Sequence, residues 1–127
     1  MEHTASIDYT ILAVDDSAPM RQLISFTLRG AGYKVIEALD GKDAVNKMEE
    51  SKVDLIITDL NMPNMDGMEL LRYLRSQDSF SHIPVVILTT ESQASTIVTA
   101  KKMGISGWII KPFEPMKLTE TVVKILK

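Results

Sequence analysis

Five short apolar runs, each rich in β-branched residues, alternate along the chain with segments in which apolar residues recur at helical spacing. Met20, Leu23 and Ile24 illustrate the helical spacing. Alternation of this kind implies right-handed crossovers and a parallel sheet with helices on both faces. The sequence therefore predicts an α/β fold, a doubly wound sheet built from five βα units. The predicted strands contain Ile11–Val14, Val35–Ile36, Leu55–Ile57, Val85–Leu88 and Trp108–Ile110.

The chain has 127 residues, which suits one domain. We expect that domain to span residues 1–127, with a core over about 9–127 and a short N-terminal extension over 1–8. The formal net charge is −3 without a long block of either sign, which disfavours nucleic-acid binding. Cysteine is absent, which excludes disulfides, thiolate metal sites and cysteine nucleophiles. The apolar stretches are too short for a signal peptide or membrane span, so we expect a cytoplasmic protein without membrane contacts.

Two helix starts and one edge strand can also be predicted. Asp66 is followed three residues later by Glu69, a spacing typical of a capping box that begins a helix running to about Arg75. Asp40 is a second candidate for the residue that begins a helix. The second strand includes the charged Glu37, which favours an edge position, whereas the third and fourth strands are apolar throughout and are predicted to be central.

Polar residues stand where four of the predicted strands end. Asp15 and Asp16 follow the first strand and Asp59 follows the third, with Thr58 between, while Thr89 comes directly after the fourth and Lys111 directly after the fifth. In an open parallel sheet the ligand crevice lies at the carboxyl ends of the strands. A single acid at a strand end is commonly a helix cap, but this combination at one edge favours a functional site. Carboxylates held close together repel one another unless a cation neutralises them.

The residue types at this edge favour Mg²⁺ and a phosphoryl group. Oxygen ligands without histidine or cysteine select Mg²⁺, which keeps water or phosphate oxygens in its shell. A carboxylate can attack a phosphoryl group and form an aspartyl phosphate. Asp59 is the predicted nucleophile because it follows a central strand, and Asp15 and Asp16 are the predicted metal ligands. Lys111 is predicted to neutralise negative charge, and Thr89 to hydrogen-bond a phosphoryl oxygen.

The motifs around these residues, in this order and spacing, resemble those of response-regulator receiver domains, and among them the chemotaxis type. The resemblance covers the chain from about Tyr9 to its end. It implies a five-stranded sheet of order 2-1-3-4-5, as in other doubly wound folds of this kind. The matching motifs are VDDS at 14–17, DLNMPNMDG at 59–67, TTE at 89–91 and GWIIKPF at 107–113.

The resemblance also implies roles for the acidic residues. Asp59 would be the phosphoacceptor and would bind Mg²⁺ together with Asp15 and Asp16. The main-chain carbonyl of Asn61 would be a further Mg²⁺ ligand. The phosphoryl donor would be a phosphorylated histidine on a sensor histidine kinase, with small acyl phosphates as substitutes. A separate phosphatase is a further expected partner.

Two residues are implied to switch between signalling states. In receivers the hydroxyl at the position of Thr89 moves toward the phosphoryl group, and an aromatic side chain on the last strand turns inward. That aromatic position, commonly Tyr, is occupied here by Trp108. A larger ring fits less readily into the vacated space, which favours a weaker or biased switch. The alternative is that Trp108 only covers apolar surface beside the fourth helix. The Lys111–Pro112 bond is expected to be cis.

Asn61 and Glu91 are implied to control how long the phosphoryl group persists. They lie two residues after Asp59 and after Thr89, positions that govern access of water to the aspartyl phosphate in similar proteins. An Asn and Glu pair goes with short-lived phosphorylation. We therefore expect a lifetime of seconds to minutes, which suits the control of behaviour. The alternative is that both residues are merely solvated.

The expected function is that of a stand-alone, monomeric response regulator whose output is a protein contact. Lysines on the last two helices, including Lys101 and Lys117, give that side a mildly basic character suited to an acidic partner segment. A flagellar motor switch protein is the expected target. A phosphorelay adaptor and a phosphate sink that competes for the kinase are the alternatives.

Two other classes of protein share parts of this pattern. Aspartyl-phosphate phosphatases need an acid two residues after the nucleophile, where Asn61 stands and cannot transfer a proton, so we do not expect an enzyme acting on external substrates. Flavodoxin-like carriers share the predicted topology. Their first loop must accept a phosphate, which Asp15 and Asp16 would repel, so no flavin is expected.

Overall fold

A computed structural model describes residues 8–126, which form five strands and five helices in strict alternation. The predicted N-terminal extension lies, except for Asp8, outside the described residues. The strands are β1 (Thr10–Val14), β2 (Lys34–Ala38), β3 (Leu55–Thr58), β4 (Val85–Thr89) and β5 (Gly107–Ile110). The helices are α1 (Ala18–Gly30), α2 (Gly41–Glu50), α3 (Gly67–Ser76), α4 (Ala94–Lys102) and α5 (Pro115–Leu126).

All strands pair in parallel in one sheet of order β2-β1-β3-β4-β5, which confirms the predicted α/β fold and strand order. β2 is at one edge, as the charge of Glu37 predicts, and β5 is at the other. Glu37 accepts hydrogen bonds from Arg21 and Ser25 of α1 at 3.1 and 2.8 Å. The charged residue of this edge strand is therefore satisfied by the neighbouring helix.

The sheet separates two apolar cores, because side chains alternate between its faces along each strand. Leu12 and Ile56 lie in the core that α2 and α3 cover, together with Met103 at the end of α4. Ile11 and Leu55 lie in the core that α1 and α5 cover. β3 and β4 are buried throughout, as expected of central strands covered on both faces.

Helix starts agree with the capping residues in the sequence. The Asp66 side chain accepts a hydrogen bond from the Glu69 amide at 2.9 Å, and the Glu69 side chain accepts one from the Asp66 amide at 2.8 Å, which is the predicted capping box. Asp40 caps α2 as predicted. α4 differs, because its first flanking residue, Gln93, makes no capping bond through its side chain.

Arg75 anchors the carboxyl end of α4 from a neighbouring helix. Its guanidinium donates to the carbonyls of Met103 and Gly104 just beyond α4, at 3.2 and 2.9 Å, and to those of Ser81 and Ile83 before β4, at 3.1 and 3.0 Å. Arg75 therefore joins the turn after α4 to the segment before β4. Over the described range, residues 8–126, no helix is long and apolar enough to cross a membrane.

Candidate functional site

The carboxyl ends of the strands bring the predicted acids together through the sheet register. Val14 of β1 pairs with Thr58 of β3, so the next residues, Asp15 and Asp59, leave the sheet side by side. The Asp59 amide donates to the Val14 carbonyl at 3.1 Å, which continues the ladder past the last paired strand residue. The positions of the two acids are therefore set by backbone pairing between neighbouring strands.

Asp15, Asp16 and Asp59 form a cluster that can hold a metal ion. One carboxylate oxygen of each lies within 4.8 Å of the others. Asp15 and Asp59 are buried, with 1% and 8% of their surface exposed, whereas Asp16 is exposed. The donors are hard oxygens and no sulfur or imidazole takes part, which fits Mg²⁺.

Lys111 connects the two buried acids. Its Nζ donates to Oδ2 of Asp15 and to Oδ2 of Asp59, both at 2.7 Å. The ammonium reaches this position because the Lys111 amide donates to the Thr89 carbonyl at 2.8 Å, directly after β5 pairs with β4. The Lys111–Pro112 bond is cis, as the resemblance implied. The cation thus offsets part of the repulsion among the carboxylates.

The charges in this cluster stabilise one another. Burial raises the pKa of Asp59, but hydrogen bonds from Lys111 and then Thr89 outweigh burial, so the pKa lies below its ordinary value of 3.8. Burial lowers the pKa of Lys111, yet its hydrogen bonds to Asp15 and Asp59 raise the pKa above its ordinary value of 10.5. Asp59 is therefore a carboxylate at neutral pH, which is the form that can attack phosphorus.

The second oxygen of Asp59 faces the loop that follows β3. Oδ1 accepts hydrogen bonds from the amides of Leu60 at 2.6 Å and of Asn61 at 3.3 Å. The Asn61 side chain is exposed. A Cβ at Gly67 would collide with the Asp59 carbonyl oxygen, so glycine is required where the loop returns to Asp59. The motif at 59–67 contains this glycine, but the sequence alone does not reveal that contact.

Thr89 and Glu91 lie beside the acids at the end of β4. Thr89 is fully buried, and its Oγ1 accepts a hydrogen bond from the Glu91 amide at 3.3 Å. The Glu91 side chain is half-buried. Asn61 and Glu91 therefore stand on the two loops that flank Asp59 and Thr89, where the sequence expects them.

Trp108 is half-buried on β5, opposite Ile87 of β4, and packs against the core that also contains Met103 and Ile105. Among the described residues its indole Nε1 is buried and has no hydrogen-bond partner. Thr89 lies two residues beyond Ile87 and therefore on the same face of the sheet. The two expected switch residues are thus diagonal neighbours across β4 and β5.

Two contacts near the site are not apparent from the motifs. Asp40, expected only to begin a helix, also accepts a hydrogen bond from Asn64 in the loop after β3 at 2.7 Å. Arg21 of α1 donates to the Asp15 carbonyl at 2.7 Å. The pattern NMDG at 64–67 indicates a turn, but nothing in it identifies the residue on which that turn packs.

Comparison with known proteins defines the class. The family model of the response regulator receiver domain matches residues 11–123, and the chain belongs to this family. CheY1 of Helicobacter pylori, a chemotaxis protein, is 40% identical over 118 residues, which cover 91% of this chain and 95% of CheY1. Chemotaxis protein CheY of Pseudomonas aeruginosa is 37% identical over 118 residues, covering 92% of this chain and 95% of that protein. The chain is accordingly a CheY-like receiver domain.

Solved structures agree with this assignment. Chemotaxis protein CheY4 of Vibrio cholerae superposes with a TM-score of 0.87 at 41% identity, covering 93% of this chain and 98% of CheY4. The receiver domain of a signal transduction histidine kinase from Syntrophus aciditrophicus superposes with a TM-score of 0.85 at 33% identity, covering 93% and 89%. A chemotaxis protein and a receiver domain of a histidine kinase therefore share this fold. The surface of the chain, rather than its fold, determines which partner it binds.

Proposed function

We propose that this chain is a response regulator that accepts a phosphoryl group on Asp59 and signals by binding a protein partner in that state. The observation that carries the proposal is the carboxylate cluster of Asp15, Asp16 and Asp59 joined to the Lys111 ammonium. Mg²⁺ bound there would neutralise negative charge on the phosphoryl oxygens. Asp15, Asp16, Asp59 and the main-chain carbonyl of Asn61 are the proposed ligands.

The proposed donor is a phosphohistidine of a sensor histidine kinase. A carboxylate oxygen of Asp59 attacks phosphorus, the bond from phosphorus to the histidine nitrogen breaks, and the electron pair leaves with the imidazole. Lys111 and the Thr89 hydroxyl contact the transferred group and stabilise its charge. Asn61 occupies the position where an acid would be needed for turnover of external phosphate esters, so signalling rather than such catalysis is proposed.

The proposed output face consists of α4, the open edge of β5, and α5. Because β5 is an edge strand, α4 and α5 flank one continuous surface. Apolar Val98 and Ile110 are 51% and 43% exposed there. The exposed lysines of this face are Lys101, Lys102, Lys117 and Lys124. A partner segment with apolar and acidic residues is complementary to it, and a flagellar motor switch protein is the proposed target because relatives are chemotaxis proteins.

The output can be tested with beryllofluoride, which stands in for the phosphoryl group. We expect Trp108 fluorescence to change only when Mg²⁺ and beryllofluoride are both present. We then expect an amino-terminal segment of a flagellar switch protein to bind the activated form several-fold more tightly. The double variant Lys101→Glu and Lys102→Glu should lose that binding, because it reverses the charge of the proposed face.

Lys52→Glu is the control, because Lys52 is exposed before the central strand β3, at the amino ends of the strands and outside the proposed face. It should bind the segment as the unchanged chain does. Equal binding of both states, with activation still visible in the fluorescence, would reject the motor target and leave the phosphorelay adaptor or the phosphate sink. Failure of activation itself would reject the receiver chemistry.

We further propose that Asn61 and Glu91 limit the lifetime of the aspartyl phosphate. Both lie on the loops after β3 and β4, where the Asn61 amide donates to Oδ1 of Asp59 and the Glu91 amide donates to Oγ1 of Thr89. This proximity supports a role in controlling the access of water to the aspartyl phosphate. We expect Asn61→Ala and Glu91→Ala each to change the rate of phosphate loss several-fold, measured by mass spectrometry after removal of the donor. Asn46→Ala on the exposed side of α2 should decay like the unchanged chain. Unchanged decay in both site variants would remove this role.

A further inference from the structure

Asp40 is a buried acid at the end of edge strand β2 that the metal cluster does not use. Only 8% of its surface is exposed. Oδ1 accepts the hydrogen bond from the Asp43 amide at 2.9 Å that caps α2, and Oδ2 accepts one from Nδ2 of Asn64 at 2.7 Å. Its carboxylate therefore joins two loops that are 24 residues apart in sequence.

The loop it reaches is the β3–α3 loop, residues 59–66, which begins at the phosphoacceptor. Asn64 has φ 67°, a left-handed conformation that asparagine adopts more readily than most residues. Beside it, the Met65 carbonyl accepts a hydrogen bond from the Gly41 amide at 2.9 Å. A Cβ at Gly41 would lie 2.6 Å from Cγ of Met65, so the two loops are in close contact at this point.

The hydrogen bond favours the ionised form of Asp40. The Asn64 amide is the largest influence on this carboxyl and, with the Asp43 amide, holds its pKa below the ordinary value of 3.8 against the opposing effect of burial. Asp40 is thus charged at neutral pH. A hydrogen bond to a charged acceptor is about twice as strong as one between neutral groups.

The same loop carries the Asn61 carbonyl. The loop is closed on itself by the Gly67 amide, which donates to the Leu60 carbonyl at 2.9 Å. That bond fixes the shape of the loop, whereas its orientation relative to Asp15 and Asp16 needs contacts outside it. The bonds from Asn64 to Asp40 and from Gly41 to Met65 are such contacts, and both join the loop to the residues that follow β2.

We propose that Asp40 is a positioning residue for the metal site, acting through Asn64 to hold the β3–α3 loop where the Asn61 carbonyl can bind Mg²⁺. This inference rests on the proposed function, because it takes Asn61 as a ligand. Groups that orient metal ligands from outside the coordination shell commonly contribute about 10- to 100-fold to metal affinity.

Two variants separate positioning from helix capping. Asp40→Ser keeps a good capping residue for α2 but is too short to reach Asn64. Asn64→Gly keeps the left-handed backbone and the net charge while removing the amide. We expect either change to weaken Mg²⁺ binding by about tenfold in the unphosphorylated chain, measured by isothermal titration calorimetry. The double variant should bind no more weakly than either single variant, because both remove one interaction.

Asp43→Asn is the control for charge. It removes the same unit charge from the first turn of α2, and Asp43 does not belong to the β3–α3 loop. Its Mg²⁺ affinity should stay within about twofold of the unchanged chain, since the half-buried Asp43 carboxylate is already paired with Lys47 at 3.4 Å and makes no bond to the β3–α3 loop. Urea midpoints of all variants show separately how much each change affects stability.

Each outcome bears on a different statement. Unchanged Mg²⁺ affinity in Asn64→Gly overturns the positioning role, even if Asp40→Ser binds more weakly. Equal losses in Asp43→Asn and Asp40→Ser also overturn it, because charge alone then accounts for the effect. If the unchanged chain does not bind Mg²⁺, the proposed function itself fails. Normal Mg²⁺ binding in every variant leaves the proposed function intact and rejects only the inference about Asp40.

Discussion

Asp59→Asn is expected to abolish Mg²⁺-dependent phosphorylation of this chain. In the proposed reaction, an Asp59 carboxylate oxygen attacks the phosphorus of a small acyl phosphate, and the bond from phosphorus to the acyl oxygen breaks with release of the carboxylate. An amide oxygen is a much poorer nucleophile. The substitution preserves shape, but the single oxygen of Asn can accept only one of the two hydrogen bonds that Leu60 and Lys111 donate to the separate carboxylate oxygens of Asp59. Mass spectrometry of the intact chain with acetyl phosphate and Mg²⁺ measures the added phosphoryl group.

The control is Asp78→Asn, which changes the same residue type at an exposed position after α3. It should be labelled like the unchanged chain and should lose labelling when Mg²⁺ is chelated. Full labelling of Asp59→Asn would mean that the phosphoryl group is accepted elsewhere. A chain that remains unlabelled under every condition, while beryllofluoride and Mg²⁺ also leave Trp108 fluorescence unchanged, would contradict the proposed chemistry as a whole.

The architecture could be predicted because local and periodic signals agree. The β-branched runs predict the strands, Glu37 predicts the edge, and the Asp66 and Glu69 pair predicts the start of α3. The rule that ligands gather at the carboxyl ends of parallel strands then predicts that Asp15 and Asp59 meet. Each of these inferences needs only spacing along the chain and the direction of the strands.

The contacts between side chains could not be predicted in this way. Spacing places Lys111 at the correct edge, but its equal distances to Asp15 and Asp59 depend on the register of β5 against β4 and on the path of the lysine side chain. The bond from Asn64 to Asp40 depends on a left-handed residue inside a loop, whose direction no periodic pattern encodes. The buried indole nitrogen of Trp108 likewise follows from packing.

Lys111→Met is expected to destabilise the chain strongly in the absence of Mg²⁺. The side chains of Lys111, Asp15 and Asp59 are 12%, 1% and 11% exposed, so the ion pairs are shielded from water. Methionine fills similar space but leaves two buried carboxylates without their cation. Removing one partner of a buried ion pair costs about 3–5 kcal/mol. Urea unfolding at pH 7 in a chelating buffer measures the loss, and Lys101→Met, at an exposed lysine of α4, is the matched control.

The change in folding stability on mild acidification should have opposite signs in Lys111→Met and in the unchanged chain. In the unchanged chain, the lowered pKa of Asp59 gives stability that is present above 3.8 and is lost as the pH falls through the lower folded value. The raised pKa of Lys111 gives stability that is present below 10.5 and is lost as the pH rises through the higher folded value. Without the ammonium, burial is no longer opposed by Lys111, and the pKa of Asp59 rises. Mild acidification from pH 7 should therefore stabilise Lys111→Met relative to the unchanged chain.

Added Mg²⁺ should restore much of the stability that Lys111→Met loses. A ligand that binds only the folded state adds about 2.7 kcal/mol at a concentration 100 times its dissociation constant. The gain in stability should be larger in the variant. In the unchanged chain, the Lys111 ammonium competes with Mg²⁺ for the same Asp15 and Asp59 oxygens. If Lys111→Met is as stable as Lys101→Met without Mg²⁺, the buried ion pairs contribute nothing. If Mg²⁺ stabilises both chains equally, Lys111 and the metal do not share these oxygens.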